Sequence, residues 1–306
     1  MSLANIHKSI AIKFFLILLC ITAVSAHAQP WSSTAEQEAQ LAELRQQAEA
    51  GNPDAQYNLG FMYDTGRDDT ILSKDTRKAA EWYEKAAIQG HSKAQYALGS
   101  LYVTGYGVPL DYVTGVEWLQ KAADQGDAEA QLELGWLYRD AKGIPDDPVK
   151  ALKWWQGAAE REFAHAQFTL GLIYNKGEIV PRDISKTVEL WKKASMQGYH
   201  PAQFNLGSMY YFGEGVPKNA AQAVELWEKA AAYGYTDAQY NLALAYLLGS
   251  GVKKDEFLAY VWASIASGYG GSENAKKLRD SISLTKDQQE LASQMLMNWQ
   301  LGKVYR

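Results

Sequence analysis

The sequence predicts an all-α protein, an α-solenoid built from repeated helix–turn–helix units. A nine-residue segment recurs with little change, as AQYNLGFMY, AQYALGSLY and AQFNLGSMY. Its glutamine falls at intervals of 39, 36, 36, 36 and 36 residues, at Gln56, Gln95, Gln131, Gln167, Gln203 and Gln239. A fixed period of about 20 to 50 residues is typical of stacked repeats, in which each unit buries its apolar face only against its neighbours.

The first 28 residues are predicted to be a signal peptide. Lys8 and Lys13 precede an apolar run, FFLILLCITAV, and AHA at 26–28 has the small residues of a cleavage site. The run has eleven residues, well short of the ~20 that cross a bilayer as a membrane anchor. Lipoprotein processing at Cys20 is the other alternative, but ILLC lacks the small residues that such a site prefers.

Cleavage after Ala28 predicts a mature chain that begins at Gln29, in the periplasm or outside the cell. This chain has no membrane span and no cysteine, and its formal net charge is −7 instead of −5. Without cysteine it is held together by packing alone, and the acidic balance gives no sign of a nucleic-acid partner.

Residues 29–50 are predicted to form a capping helix, because QEAQLAELRQQAEAG resembles the second helix of a unit without its partner. Residues 51–270 are predicted to form six repeats, with approximate limits 51–89, 90–125, 126–161, 162–197, 198–233 and 234–269.

The first helix of each unit, helix A, contains the recurring segment. A leucine three residues after the glutamine and a tyrosine four residues later lie on one helical face. A glycine follows the leucine in five repeats, at Gly60, Gly99, Gly135, Gly171 and Gly207, and the sixth repeat has Ala243. Glycine inside a helix costs about 0.5–1 kcal/mol relative to alanine. Its recurrence therefore predicts that a neighbouring helix packs close to the backbone there, and more loosely at Ala243.

The second helix, helix B, follows loops such as GYGVPLD and GEGVPKN. The glycine is predicted to end helix A, and the final Asp or Asn is predicted to cap helix B. Helix B carries a tryptophan that the approximate spacing assigns to one position, at Trp82, Trp118, Trp154, Trp191, Trp227 and Trp262. Large indoles and the following small alanines are predicted to fill the space between helices.

The combined pattern AQxxLGxxYxxGxGVxxD, followed by WxxKAAxxG, resembles the Sel1-like repeat family, a relative of tetratricopeptide repeats. The resemblance covers roughly Gly51 to Gly270. It implies a right-handed solenoid and a scaffold that holds protein partners. One cysteine-rich branch of the family is associated with penicillin binding. The mature chain has no cysteine, so the resemblance does not extend to that activity.

Residues 271–306 are predicted to form C-terminal capping helices, and Thr285 to Gln288 reads as a capping box. The first repeat is longer than the others by three residues, within DTGRDDTILSKD. Insertions in solenoids map to loops on one face, sometimes the binding face. This insertion is therefore an alternative binding surface, although a tolerated surface insertion explains it more simply.

The sequence shows no catalytic constellation. His91, His165 and His200 lie in different repeats without the spacing of metal ligands, and the glycine-rich loops lack the GK[ST] ending of a phosphate-binding loop. We therefore expect no catalytic residue, no metal and no cofactor, and a protein that is not an enzyme. The alternatives are a hydrolase or small-molecule binder related to the cell wall, and a purely structural envelope protein.

The variable positions of helix A are the predicted surface for a protein or peptide partner. By similarity to tetratricopeptide repeats, helix A lines a concave groove, in which asparagines hold a peptide backbone or carboxylate. Apolar residues exposed together would form a contact patch, although they could instead be covered by the loops or the cap. The candidate residues are Asn58, Phe61, Trp136, Asn205, Tyr211, Phe212, Asn241, Leu247 and Leu248.

Overall fold

The computed structural model describes residues 34–66, 72–141, 143–268 and 271–299. These ranges contain fifteen α-helices and no β-strand. The helices are α1 Thr34–Glu49, α2 Pro53–Thr65, α3 Thr76–Ile88, α4 Ser92–Thr104, α5 Tyr112–Asp124, α6 Ala128–Asp140, α7 Pro148–Glu160, α8 Ala164–Lys176, α9 Ile184–Met196, α10 His200–Phe212, α11 Ala220–Ala232, α12 Thr236–Leu248, α13 Glu256–Ala266, α14 Glu273–Asp280 and α15 Lys286–Met297. None of these helices is long and apolar enough to cross a membrane. The predicted signal peptide, Gly270 and residues 67–71 of the first-repeat insertion lie outside the described residues.

The helices form the predicted solenoid. Six A/B pairs, from α2–α3 to α12–α13, follow one another, and each B helix also packs against the next A helix. Helix α1 packs against α2 at one end, and α14 and α15 pack against α13 at the other. Thr285 and Gln288 form the predicted capping box at the start of α15. The architecture is therefore an α-solenoid of helix pairs.

The predicted caps place the B helices in a regular register. Each begins after an aspartate or asparagine whose side chain accepts a hydrogen bond from a backbone N–H of the first turn, as in Asp75, Asp111, Asp147, Asp183, Asn219 and Asp255. These residues are 36 apart throughout. The three additional residues of the first repeat therefore precede the cap and leave the helices in phase.

The recurring glycine of helix A allows the close approach that the sequence predicts. A Cβ at Gly135 would lie 2.2 Å from Nε1 of Trp155, and a Cβ at Gly171 would lie 2.4 Å from Nε1 of Trp191. The facing residue is eight positions after the cap of helix B, and in the five glycine repeats it is Tyr83, Leu119, Trp155, Trp191 or Trp227. In the sixth repeat the equivalent pair is Ala243 and Ala263, and both residues are fully buried in one core cluster. A small residue in helix B thus accompanies the loss of the glycine.

The structure corrects the alignment of the tryptophans, which occupy two adjacent positions of helix B. Trp191 and Trp227 stand eight residues after the cap, and the other four stand seven after it, at Trp82, Trp118, Trp154 and Trp262. Neighbouring helical positions differ by about 100° in direction. Trp191 therefore faces helix A and is buried. Of the other four, Trp262 is also fully buried, whereas Trp82 and Trp118 are half-buried. Their rings instead lie beneath the ammonium groups of Lys85 and Lys121, at 3.8 and 3.7 Å.

The recurring glutamine joins each repeat to the preceding helix. The buried Gln95 donates from Nε2 to the carbonyl of Ala87, and its Oε1 accepts from Gln125 at the end of the same repeat. The donor bond to the residue eight positions earlier recurs at all six glutamines. A buried amide must be hydrogen-bonded to avoid a desolvation penalty, which explains why glutamine recurs in an otherwise apolar seam.

Candidate interaction surface

The A helices of the second and third repeats meet through two of the variable positions. Ser100 donates a hydrogen bond of 2.7 Å from Oγ to Oε2 of Glu133, and this bond joins α4 to α6. Ser100 follows the repeat glycine, and Glu133 is the second residue after the repeat glutamine. In this pair of repeats the two variable positions therefore contribute to the contact between neighbouring A helices.

Glu133 lies on α6, near two other acidic residues, Glu129 and the N-cap residue Asp127. Its pKa is raised to about 7, mainly by burial and to a smaller extent by the charge of Glu129, while the hydrogen bond from Ser100 opposes the shift. Burial also raises the pKa of Glu129 and of Asp127. The Glu133 carboxyl, at the contact between the second and third repeats, therefore changes its protonation near neutral pH.

Asn58 and Phe61 lie on α2, the first A helix. Asn58 is exposed, and Phe61 is 37% exposed, with its ring centroid 6.4 Å from that of Tyr57. Both side chains therefore present some surface to solvent on the first repeat.

Trp136 lies on α6 and is half-buried. Its ring meets Trp155 edge to face, with centroids 4.9 Å apart, and the guanidinium of Arg139 lies 4.5 Å above it. Trp136 is therefore held between a fully buried indole and a surface cation. It presents only part of its ring to a partner.

The four apolar candidates of the C-terminal repeats divide into two exposed and two half-buried residues. Phe212 is 74% exposed and Leu248 is 66% exposed. Tyr211 and Leu247 instead pack against the core, and the ring centroid of Tyr211 is 5.3 Å from that of Trp227. Phe212 and Leu248 are the last residues of α10 and α12 and stand at the same position of successive repeats.

Asn205 and Asn241 lie on α10 and α12 and are half-buried. Within the described residues, neither side-chain amide takes part in a hydrogen bond, so the polar atoms of both remain available. They are two residues past the buried glutamines of their repeats, at the same position as Asn58 and Glu133.

Two of the histidines have local roles. Nδ1 of His91 accepts a hydrogen bond from the N–H of Ala94 and caps α4, and its ring stacks on Tyr57 with centroids 4.8 Å apart. His200 stacks on Tyr233 with centroids 4.3 Å apart. Among the described residues, no three His, Cys, Asp or Glu side chains are grouped so as to hold a metal ion.

Sequence reasoning did not identify the Ser100–Glu133 bridge. The only signal was the acidic residue at 133, where other repeats carry asparagine, alanine or threonine. The contact joins different repeats and depends on how one A helix lies against the next, which the spacing of residues along the chain does not specify.

Comparison with known proteins identifies the repeat. The Sel1 repeat family model matches six consecutive segments, at 53–91, 92–127, 128–163, 164–199, 200–235 and 236–267. A protective antigen of uropathogenic Escherichia coli strains that displays an SLR fold is 32% identical, with a TM-score of 0.72 over 84% of this chain. The chain spans only 56% of that protein.

A Sel1 repeat protein from Oxalobacter formigenes is 31% identical, with a TM-score of 0.73 over 78% of this chain and 69% of its own. Proteins with this repeat are typically scaffolds for protein interactions. Because the matched repeats cover most of the sequence, the chain belongs to the Sel1 repeat family.

Proposed function

We propose that this protein is an exported scaffold, and that it binds a protein or peptide partner in the groove along its A helices. One observation carries the proposal. The last residue of helix A is Thr65, Thr104, Asp140 and Lys176 in the first four repeats but Phe212 and Leu248 in the last two, where both are mostly exposed. Large exposed apolar side chains at equivalent positions of adjacent repeats suit a contact surface.

The free amides of Asn205 and Asn241 give the same two repeats a way to hold a peptide backbone. Each amide offers two donors and one acceptor oxygen. In this proposal the asparagines position an extended segment, and Phe212 and Leu248 supply the apolar contact. Half-buried Tyr211 and Leu247 support the exposed pair from beneath.

Binding is tested with two double variants and a matched control. The partner is isolated from the native envelope fraction with the mature chain as bait, and its affinity is then measured for each folded variant. We expect Phe212→Ser with Leu248→Ser, and Asn205→Ala with Asn241→Ala, each to weaken binding by roughly tenfold or more, as central interface residues do.

The control pair is Ile88→Ser with Met196→Ser. These side chains are 70% and 87% exposed and end two B helices, α3 and α9. The control should bind as the parent does. Unchanged affinity in both test variants would contradict the groove, and the first-repeat insertion would then become the better candidate.

Export is supported by the basic, apolar and small-residue segments of the first 28 residues. The intact mass of protein recovered from the periplasm or culture medium should correspond to a chain that begins at Gln29. Retention of Met1, or a lipid on Cys20, would contradict a soluble exported scaffold.

A further inference from the structure

Helix α7, the B helix of the third repeat, is joined to its neighbours by two strained connections. Ala141, at the end of α6, has φ +50°, and Glu162, after α7, has φ +59°. No other non-glycine residue in the described ranges has a positive φ. The left-handed region costs a residue with a Cβ about 1–2 kcal/mol.

Other repeats place glycine at both positions. The counterparts of Ala141 include Gly105, Gly177 and Gly213, and the counterparts of Glu162 include Gly126 and Gly198, all with positive φ. The positive φ thus recurs along the array. On both sides of α7, however, the glycine that adopts it without strain is replaced by another residue.

The hydrogen bonds that join α7 to the neighbouring A helices are also incomplete. Arg161 stands where Gln125 and Gln197 donate to the repeat glutamine, and Oε1 of the buried Gln131 has no hydrogen-bond partner among the described residues. On the other side, Gln167 reaches the carbonyl of Ala159 at 3.4 Å, the longest of the six equivalent bonds.

Glycine within α7 weakens the helix itself. Gly157 stands where other B helices have Lys85, Lys121, Lys193 and Lys229, and an interior glycine costs about 0.5–1 kcal/mol relative to alanine. The main anchor of α7 is Trp155, which is fully buried and donates from Nε1 to the carbonyl of Leu132 at 3.2 Å. The helix is therefore held firmly at its centre and is capped by Asp147, whereas the connection that precedes it and the residue that follows it are strained.

We propose that α7 is a built-in opening element of the solenoid, which detaches locally while the repeats on either side stay folded. In a repeat array, stability is approximately a sum of the intrinsic stability of each unit and its contacts with its nearest neighbours, so a unit that is weak in both opens at a lower free energy than the others. Detachment would expose Trp155 and the face of Trp136 that packs against it, and so would enlarge the apolar surface of the third repeat.

Amide hydrogen exchange of the full chain, read by mass spectrometry, tests the proposal. The amides of α7 should exchange roughly tenfold faster than those of its counterparts α5 and α9, because opening releases backbone strain. Substituting Ala141→Gly with Glu162→Gly removes that strain, and should slow exchange in α7 about five- to tenfold while leaving α5 and α9 unchanged.

The mirror variant Gly198→Glu is the control. A Cβ at Gly198 meets no atom within 4 Å, and its φ is +81°, so this variant adds strain without a steric clash. It should speed exchange at the end of α9 only. Equal exchange of α5, α7 and α9 in the parent would overturn the proposal, as would an unchanged rate for α7 in the double glycine variant.

Discussion

Replacing Gly135 with alanine tests the packing of helix A on helix B. The new Cβ would lie 2.2 Å from Nε1 and 2.5 Å from Cδ1 of Trp155. The indole is fully buried and hydrogen-bonded to Leu132, so it has to move by more than about 1 Å to reach normal contact distance.

The expected loss of stability follows from three contributions. Overpacking costs about 1–3 kcal/mol, and a weakened indole hydrogen bond costs about 1 kcal/mol more. Alanine is more stable than glycine inside a helix by about 0.5–1 kcal/mol, which offsets part of this loss. We therefore expect Gly135→Ala to lower the free energy of unfolding by about 1–3 kcal/mol.

A double-mutant cycle separates this clash from any other effect. Trp155→Ala alone should cost about 3–5 kcal/mol, because it leaves a large cavity. In that background Gly135→Ala should become neutral or stabilising by up to about 1 kcal/mol, and the resulting pair reproduces Ala243 and Ala263 of the sixth repeat.

Urea denaturation followed by far-ultraviolet circular dichroism measures all four proteins. If Gly135→Ala destabilises equally with and without the indole, the explanation of the recurring glycine is wrong.

Three further predictions concern polar side chains between the helices. Arg161→Gln should supply the missing donor to Gln131 and raise the free energy of unfolding by about 0.5–1.5 kcal/mol; an equal or lower denaturation midpoint would contradict it. Gln95→Ala should destabilise more than Gln131→Ala by about 1 kcal/mol, because Gln95 has both of its hydrogen bonds and Gln131 only one, and equal losses would refute the role of the second bond. Glu133 has a pKa of about 7 in the folded chain against 4.5 when unperturbed, so its contribution to stability is complete below about pH 4.5 and is lost as the pH rises through about 7. After a discount for its partial exposure, the parent should lose about 1–2 kcal/mol between these limits relative to Glu133→Gln, and parallel pH profiles of the two proteins would rule this out.

The repeat made the local structure of this chain predictable from its sequence. Helix caps such as Asp111 and Asp183, the proline at the start of α7 and the capping box at Thr285 follow from side chains that satisfy backbone groups within a few residues. The close approach at Gly135 was predictable because a recurring glycine inside a helix needs a compensating contact.

The relation between neighbouring helices was less predictable. The approximate spacing aligns the tryptophans only to within one residue, and an error of one residue changes which face of helix B a side chain such as Trp191 occupies. Adjacent Tyr211 and Phe212 are both aromatic, yet only Phe212 is exposed. The difference depends on the position of Trp227 in the facing helix, which the sequence of α10 does not contain.

The proposed binding surface is tested most directly by site-specific photo-crosslinking in cells. A benzophenone amino acid replaces Phe212 in one protein and Met196 in another, since both side chains are mostly exposed but lie on an A helix and a B helix. After illumination, the variant at 212 should form a discrete adduct with a protein, and the adduct should be lost when Leu248→Ser is added. The variant at 196 should form none. Adducts of equal yield at both positions, or at 196 alone, would contradict binding along the A helices.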